Sequence, residues 1–280
     1  MLRRSFLATS ATAGIALAAS DSQTGYAPVN GLKMYYEIHG SGEPLILLHG
    51  GVGATDMFKG IMPALSTGRR VIAVDLQAHG RTADIDRPLR LESMGDDIAA
   101  LIRHLGLAKA DLMGYSLGGG VALRCAIQHS EVVRRLVIVS AAFRKDGWYP
   151  EIQAGMAQMG PASAEPMKKT PMYELYARVA PRPTDWPVLM TKLGDLLRQD
   201  YDWSKEVAAL QTPTMLVFGD ADAVRPAHAV QFFELLGGGR KDGGWDGSGL
   251  SKSRLAILPG LTHYNVFSSP TLPPLVTAFL

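Results

Sequence analysis

The run Ala110-Asp111-Leu112-Met113-Gly114-Tyr115-Ser116-Leu117-Gly118-Gly119-Gly120 decides how this chain folds. A short apolar stretch ends abruptly in Gly-x-Ser-x-Gly, and a helical pattern follows from Val121 to Gln128. A chain that leaves a strand and enters a helix within one or two residues must turn sharply. The residue at the apex takes a strained backbone conformation, and its neighbours two positions away must be small to avoid collision. Gly114 and Gly118 supply that room and leave the Ser116 hydroxyl above the sheet edge, at the start of a helix. A helix start carries free N–H groups and a partial positive charge, and both favour a developing oxyanion. A glycine-rich turn that merely contains a serine is the plainer alternative. The strand signal before the turn and the helix signal after it favour a nucleophile.

The 280 residues are 47% hydrophobic and 19% charged, enough for one large α/β domain with a substantial core and too apolar for disorder. Lys and Arg number 28 against 26 Asp and Glu, and Arg3 and Arg4 supply the whole excess. Without residues 1–20 the chain is neutral, which gives it no general electrostatic reason to bind nucleic acid or an anionic membrane. The single cysteine, Cys125, excludes an internal disulfide and falls on the helix after the turn, where a buried apolar role is expected.

Residues 1–20 have a basic head, a short apolar middle and small residues at the exit (Ala16-Leu17-Ala18), the layout of a cleaved secretory signal. Arg3-Arg4-Ser5-Phe6-Leu7 resembles a twin-arginine leader, which implies export, with a periplasmic destination expected. The apolar run is too short for a membrane span, so no stable membrane anchor is expected.

Beyond the leader, apolar runs alternate with helical patterns. Strands are expected at Leu32–Ile38, Pro44–Leu48, Val71–Val74, Ala110–Met113, Leu136–Val139, Thr214–Phe218 and Arg254–Leu258. Helices are expected over Asp56–Ser66, Leu91–Gly106, Val121–Gln128 and Pro226–Leu236, with a short one closing the chain. This alternation predicts a doubly wound, mostly parallel sheet, and such sheets bind ligands beyond the carboxyl ends of their strands. Between Arg144 and Lys205 the rhythm changes: Met, aromatic residues and prolines dominate and no strand pattern appears. That segment reads as a small helical cap over the site. The division expected is therefore a core over 26–145 and 206–280, with a cap over 146–205. Gly237–Ser253 reads as a glycine-rich surface loop carrying Trp245.

A serine hydroxyl needs a base within hydrogen-bond reach, and the base needs an orienting partner. Of seven histidines, His263 alone falls just after the last strand, in a loop on the same edge as Ser116. His49 precedes the Gly50-Gly51-Val52-Gly53 loop and reads as its brace, and His79 reads as structural. Two acids follow the Thr214–Phe218 strand. Asp222 reaches toward a histidine on the next strand, whereas Asp220 reads as holding the turn.

His49-Gly50-Gly51, Asp75–Thr82, Gly114–Gly118, Gly219–Asp222 and Pro259–His263 together resemble the α/β-hydrolase fold superfamily, in its single-cap esterase, lactonase and haloperoxidase-like group. The resemblance covers nearly everything after the leader. It implies an eight-stranded, mostly parallel sheet with helices on both faces. It also implies Ser116 as nucleophile, His263 as base, Asp222 as acid, and an oxyanion hole from the backbone N–H groups of Gly51 and Leu117. No metal and no cofactor are implied. Ala78 departs from the group's usual glycine. The reaction implied is hydrolysis of small or medium apolar esters or lactones through an acyl-enzyme. A C–C hydrolase or perhydrolase would use the same residues, and a non-catalytic binding protein on this fold is the alternative from another class. Neither the natural substrate nor the oligomeric state is readable from the chain.

Overall fold

The computed structural model describes residues 22–280, so the expected leader lies outside the described residues. Eight strands form one sheet: β1 (Gln23–Val29), β2 (Leu32–His39), β3 (Glu43–Leu48), β4 (Arg69–Val74), β5 (Ala110–Tyr115), β6 (Val133–Val139), β7 (Thr214–Ala221) and β8 (Arg254–Thr262). Their spatial order is β1-β2-β4-β3-β5-β6-β7-β8. β1 and β2 pair antiparallel, as do β2 and β4, and every pairing from β4 across to β8 is parallel. The helices are α1 (Met62–Leu65), α2 (Leu91–His104), α3 (Leu117–Gln128), α4 (Pro150–Gln158), α5 (Ala164–Met167), α6 (Pro171–Val179), α7 (Trp186–Arg198), α8 (Ser204–Ala209), α9 (Pro226–Leu235) and α10 (Leu272–Phe279).

Strand alternation divides the core into two layers. On β3, Ile46 and Leu48 face one layer and Leu45 and Leu47 the other. The first layer is filled by α2, α3 and α9, through Ile98, Leu101, Val121, Leu123 and Phe232. The second is filled by Phe58, Leu65, Leu272 and Val276. All of these residues are buried, as the continuous apolar runs require of strands covered on both faces. Cys125 is buried on α3, and burial pushes its thiol up to about 12, which leaves it protonated and unreactive.

The structure departs from the sequence reading at several points. β1 was not legible, because Gly25 and Pro28 interrupt it; as an edge strand it tolerates the missing proline N–H. The helix expected over Asp56–Ser66 is divided into a 3₁₀ turn, Thr55–Phe58, and the four-residue α1. Gly60 lies in the break and Pro63 opens the second piece. α3 begins at Leu117, four residues before its apolar pattern. Three glycines in a row weaken a helix in isolation, so tertiary packing holds this one. A Cβ on Gly118 would lie 2.2 Å from the Leu48 carbonyl oxygen, and one on Gly119 would lie 2.7 Å from Ala141 Cβ.

Between β6 and β7 the chain forms helices α4 to α8 and short 3₁₀ turns, with no strand. Tyr173 and Tyr176 pack on the buried Trp186 with ring centroids 5.2 and 5.1 Å away. Lys192 fastens α7 to the chain before α2, its Nζ donating to Asp84 Oδ2 (2.6 Å) and to the Ile85 and Arg87 carbonyls.

Candidate active site

Ser116 stands between β5 and α3 with φ 52° and ψ −116°. Positive φ in a residue with a Cβ stores strain and persists only where packing dictates it. Here the packing is close: a Cβ on Gly114 would lie 2.0 Å from the Gly118 carbonyl oxygen. The glycines flanking the serine are thus steric requirements of the turn.

β8 ends at Thr262, and His263 follows it into the same rim. His263 Nε2 lies 3.1 Å from Ser116 Oγ, and Nδ1 lies 3.0 Å from Asp222 Oδ1. The imidazole and the carboxylate are both buried. Asp222 receives further hydrogen bonds from the Val224 N–H on Oδ1 and from the Gly219 N–H and Ser140 hydroxyl on Oδ2. Burial pushes its carboxyl up, but the hydrogen bonds, that of His263 first among them, more than offset this and hold its pKa below the ordinary value. Asp222 is therefore an anion with fixed orientation. Asp220, the other acid considered, is exposed and accepts from the Gly260 N–H at 2.8 Å, tying the ends of β7 and β8 together.

Gly51 and Leu117 line the same cavity as Ser116, and neither N–H has an acceptor among the described residues. The aim of the Gly51 N–H follows from its peptide. The Gly50 carbonyl, on the same planar trans unit, accepts from His49 Nδ1 at 2.7 Å and from the Gly53 N–H at 3.1 Å. In a trans peptide the N–H points opposite to the C=O, so holding the carbonyl against His49 turns the Gly51 N–H away from that side. His49 Nε2 accepts from the Leu76 N–H at 3.1 Å, which assigns the proton to Nδ1. His49 is the brace of this loop. Val52, the next residue, has φ 54°, a strained value for a β-branched side chain. Ala78 has φ 65°, so the position that departs from glycine is a left-handed one, at a cost of about 1 kcal/mol.

The cavity holds about 670 Å³. Its walls are mostly apolar, with Val52, Met57, Phe267 and Tyr115 from the sheet side and Leu193 and Leu196 from α7. Met156, Met159, Met172 and Trp148 also line it, whereas Met190 is buried in the core. The Met-rich segment therefore serves both packing and cavity lining.

A model of the alpha/beta hydrolase fold family matches residues 43–272. The chain belongs to that family. It is 32% identical over 248 residues to the pimeloyl-[acyl-carrier protein] methyl ester esterase of Neisseria meningitidis, covering 80% of this chain and 89% of the relative. It is 30% identical over 220 residues, 70% of this chain, to the dihydrolipoyllysine-residue acetyltransferase component of the acetoin cleaving system of Pseudomonas putida, a longer protein of which it spans 56%. Among solved structures it resembles the carboxylesterase CesB of Bacillus subtilis, with a TM-score of 0.71, 22% identity and coverage of 92% of this chain and 91% of the other. That likeness is one of fold.

Three side chains of this alpha/beta hydrolase matter to the site and were not singled out from the sequence. Ser140 (φ 51°), just past β6, donates to Asp222 Oδ2. Its place at a strand end on the active rim was the signal available. Trp148 sets its ring edge-on to His263, with centroids 5.5 Å apart. Its segment pairs with the acid loop, since the Tyr149 N–H donates to the Ala223 carbonyl and the Arg225 N–H to the Gly147 carbonyl. Tyr115 packs against His263 and Phe267 at 5.2 and 4.6 Å, and its buried hydroxyl donates to the His263 carbonyl at 2.8 Å. Tyr115→Phe frees that carbonyl while keeping the ring. The expected result is a fall in kcat of about tenfold with KM within about twofold, because the imidazole loses its fixed placement. Steady-state kinetics check this, and an unchanged kcat would show that the loop is held by other contacts.

Three buried histidines set a stability profile. Burial lowers His49 to about 4, His79 to about 3 and His228 to about 4. His79 Nε2 and His228 Nδ1 have no partner among the described residues, so protonating either strands a charge. Each folded pKa lies below the ordinary histidine value of about 6.5, so below that pH the unfolded chain binds more protons. The contribution is complete above about pH 6.5 and is lost as pH falls toward 4, on the order of 3 kcal/mol per fully buried histidine. Asp75 and Asp111, whose carboxyls burial raises to about 6, work in the opposite direction over the same range. Urea midpoints measured from pH 7 to 4.5 should therefore fall by less than the imidazoles alone would give; midpoints that rise as pH falls would contradict the neutral state of these imidazoles.

Proposed function

We propose that this protein is a serine hydrolase that cleaves carboxylic esters of small or medium apolar substrates through an acyl-enzyme. One observation carries the reading: a single imidazole is hydrogen-bonded to a strained serine hydroxyl on one side and to a buried carboxylate on the other, at the wall of an apolar cavity. Ser116 Oγ attacks the substrate carbonyl carbon as His263 Nε2 takes its proton. The carbonyl oxygen, now negative, accepts from the Gly51 and Leu117 N–H groups, each contributing about 3 kcal/mol to the barrier reduction. Asp222 holds the Nδ1 proton and stabilises the imidazolium. His263 then protonates the departing alkoxide. Water, deprotonated by the same imidazole, attacks the acyl-enzyme and restores Ser116.

The esterase relative from Neisseria meningitidis supports ester chemistry, and the largely apolar walls support an uncharged substrate. A fluorophosphonate probe tests the reading directly. Labelling of the wild type that disappears in Ser116→Ala, together with hydrolysis of nitrophenyl esters of graded acyl length, is the expected result. An unlabelled wild type that leaves the whole panel intact would overturn it.

A further inference from the structure

The cavity is not apolar throughout. Where Lys145, Gln199 and Tyr201 line it, Lys145 donating to the backbone carbonyls of the other two, the wall turns polar. Tyr201 sits there with its ring against Trp203, centroids 4.6 Å apart, and its hydroxyl accepts from Trp148 Nε1 at 3.0 Å. The same indole meets the His263 ring edge-on, so one indole separates the phenol from the reacting groups. Tyr201 is partly buried, and a phenol can both accept and donate. The Tyr201 hydroxyl accepts from Trp148, but its own proton has no acceptor among the described residues. Burial raises its pKa to about 12, so it keeps that proton throughout the working range.

The surroundings say what could take the proton. Lys145 directs its Nζ to the Leu197 and Gln199 carbonyls at the end of α7. Gln199 Oε1 accepts from Arg90 Nη1 at 2.7 Å, which leaves its amide N–H groups as donors. Two carboxylates, Glu92 and Asp200, line the same cavity and disfavour an anion. The lining thus sets one ammonium, Lys145, against two carboxylates, and its donors fit a neutral oxygen better than an anion.

We propose that this corner is a subsite for a second, uncharged oxygen of the substrate, an ether, ketone or hydroxyl that accepts a hydrogen bond from the Tyr201 hydroxyl. The substrates are then esters carrying such an oxygen in the acyl or alcohol part, rather than plain alkyl esters. This rests on the hydrolase reading for the position of the ester itself.

The test uses nitrophenyl esters of hexanoic acid in which one methylene at a time is replaced by an ether oxygen, with the matching methoxyalkyl butyrates for the alcohol side. Comparing wild type with Tyr201→Phe for each ester cancels intrinsic reactivity. At one oxygen position or more, kcat/KM should fall about tenfold in Tyr201→Phe, while the parent ester changes less than twofold. Trp148→Phe, which removes the donor to the phenol but keeps the phenol, should retain the preference for the oxygenated ester whatever its overall rate. Uniform loss across the series, no loss at any position, or a larger loss on a nitrophenyl hemisuccinate would each overturn the proposal. Binding measured by calorimetry in a Ser116→Ala background separates the two readings. There the ether should bind about tenfold tighter than the parent ester, and Tyr201→Phe should abolish the difference. A wild type without esterase activity that still shows this difference sinks the hydrolase and spares the subsite. The absence of any difference sinks the subsite.

Discussion

Ser116→Ala is expected to lower kcat on a nitrophenyl ester by about 10⁴- to 10⁶-fold and to leave the fold intact. On the proposed mechanism the size of the loss follows from covalent catalysis: without Oγ no acyl-enzyme would form, and the proposed oxyanion donors and the cavity would have to act on water alone. The fold should survive because alanine keeps the Cβ already accommodated at φ 52°, and the hydroxyl has one hydrogen-bond partner among the described residues, His263 Nε2. His263→Ala should cost about as much, and the double variant scarcely more than either single one, because the two groups act as a unit. Thermal melts beside single-turnover kinetics provide the check. Losses that multiply in the double variant would mean that serine and histidine act independently, and a Ser116→Ala enzyme within a hundredfold of wild type would move the nucleophile elsewhere.

Asp222→Asn is expected to lower kcat by about 10⁴-fold with little change in KM, by analogy with the serine proteases. Among the described residues the carboxylate accepts four hydrogen bonds, from His263, Val224, Gly219 and Ser140. An amide supplies one acceptor oxygen, so its NH₂ must face a donor whichever way it turns. If the NH₂ faces His263, Nδ1 loses its proton and Nε2 gains it. The imidazole can then no longer take the proton of Ser116. If the oxygen faces His263, the NH₂ meets the Gly219 N–H, and folding stability falls by about 1–3 kcal/mol. Asp220→Asn is the matched control. Its carboxylate binds the Gly260 N–H outside the Ser116–His263–Asp222 row, so kcat should stay within about fivefold. The reverse outcome, a large loss at Asp220 and a small one at Asp222, would reassign the acid.

Much of the fold was legible because its signals are local. Pro44–Leu48, Val71–Val74 and Leu136–Val139 are short, continuous apolar runs bounded by turn residues, and a strand covered on both faces needs little else. Ser116, Asp222 and His263 could be placed at strand ends because each follows such a run within five residues. What resisted were elements whose own residues argue against them: β1 with its Gly25 and Pro28, the start of α3 in three glycines, and the helix interrupted around Gly60. Each is held by neighbours distant in sequence, as when β1 pairs with β2 or Gly118 presses on the Leu48 carbonyl.

By itself, then, the sequence determined a doubly wound sheet, a strained turn at Ser116 and an order of polar residues along one rim, since hydrophobic period and glycine placement are properties of short segments. Only the tertiary structure decided the distances of 3.1 and 3.0 Å about His263, the hydrogen bond of Ser140 to Asp222, the Tyr115 hydroxyl on the His263 carbonyl, and the pairing of Trp148 with Tyr201. These join residues from 41 to 148 positions apart. No local pattern encodes such contacts, because they depend on where close packing leaves each side chain once the whole sheet has formed.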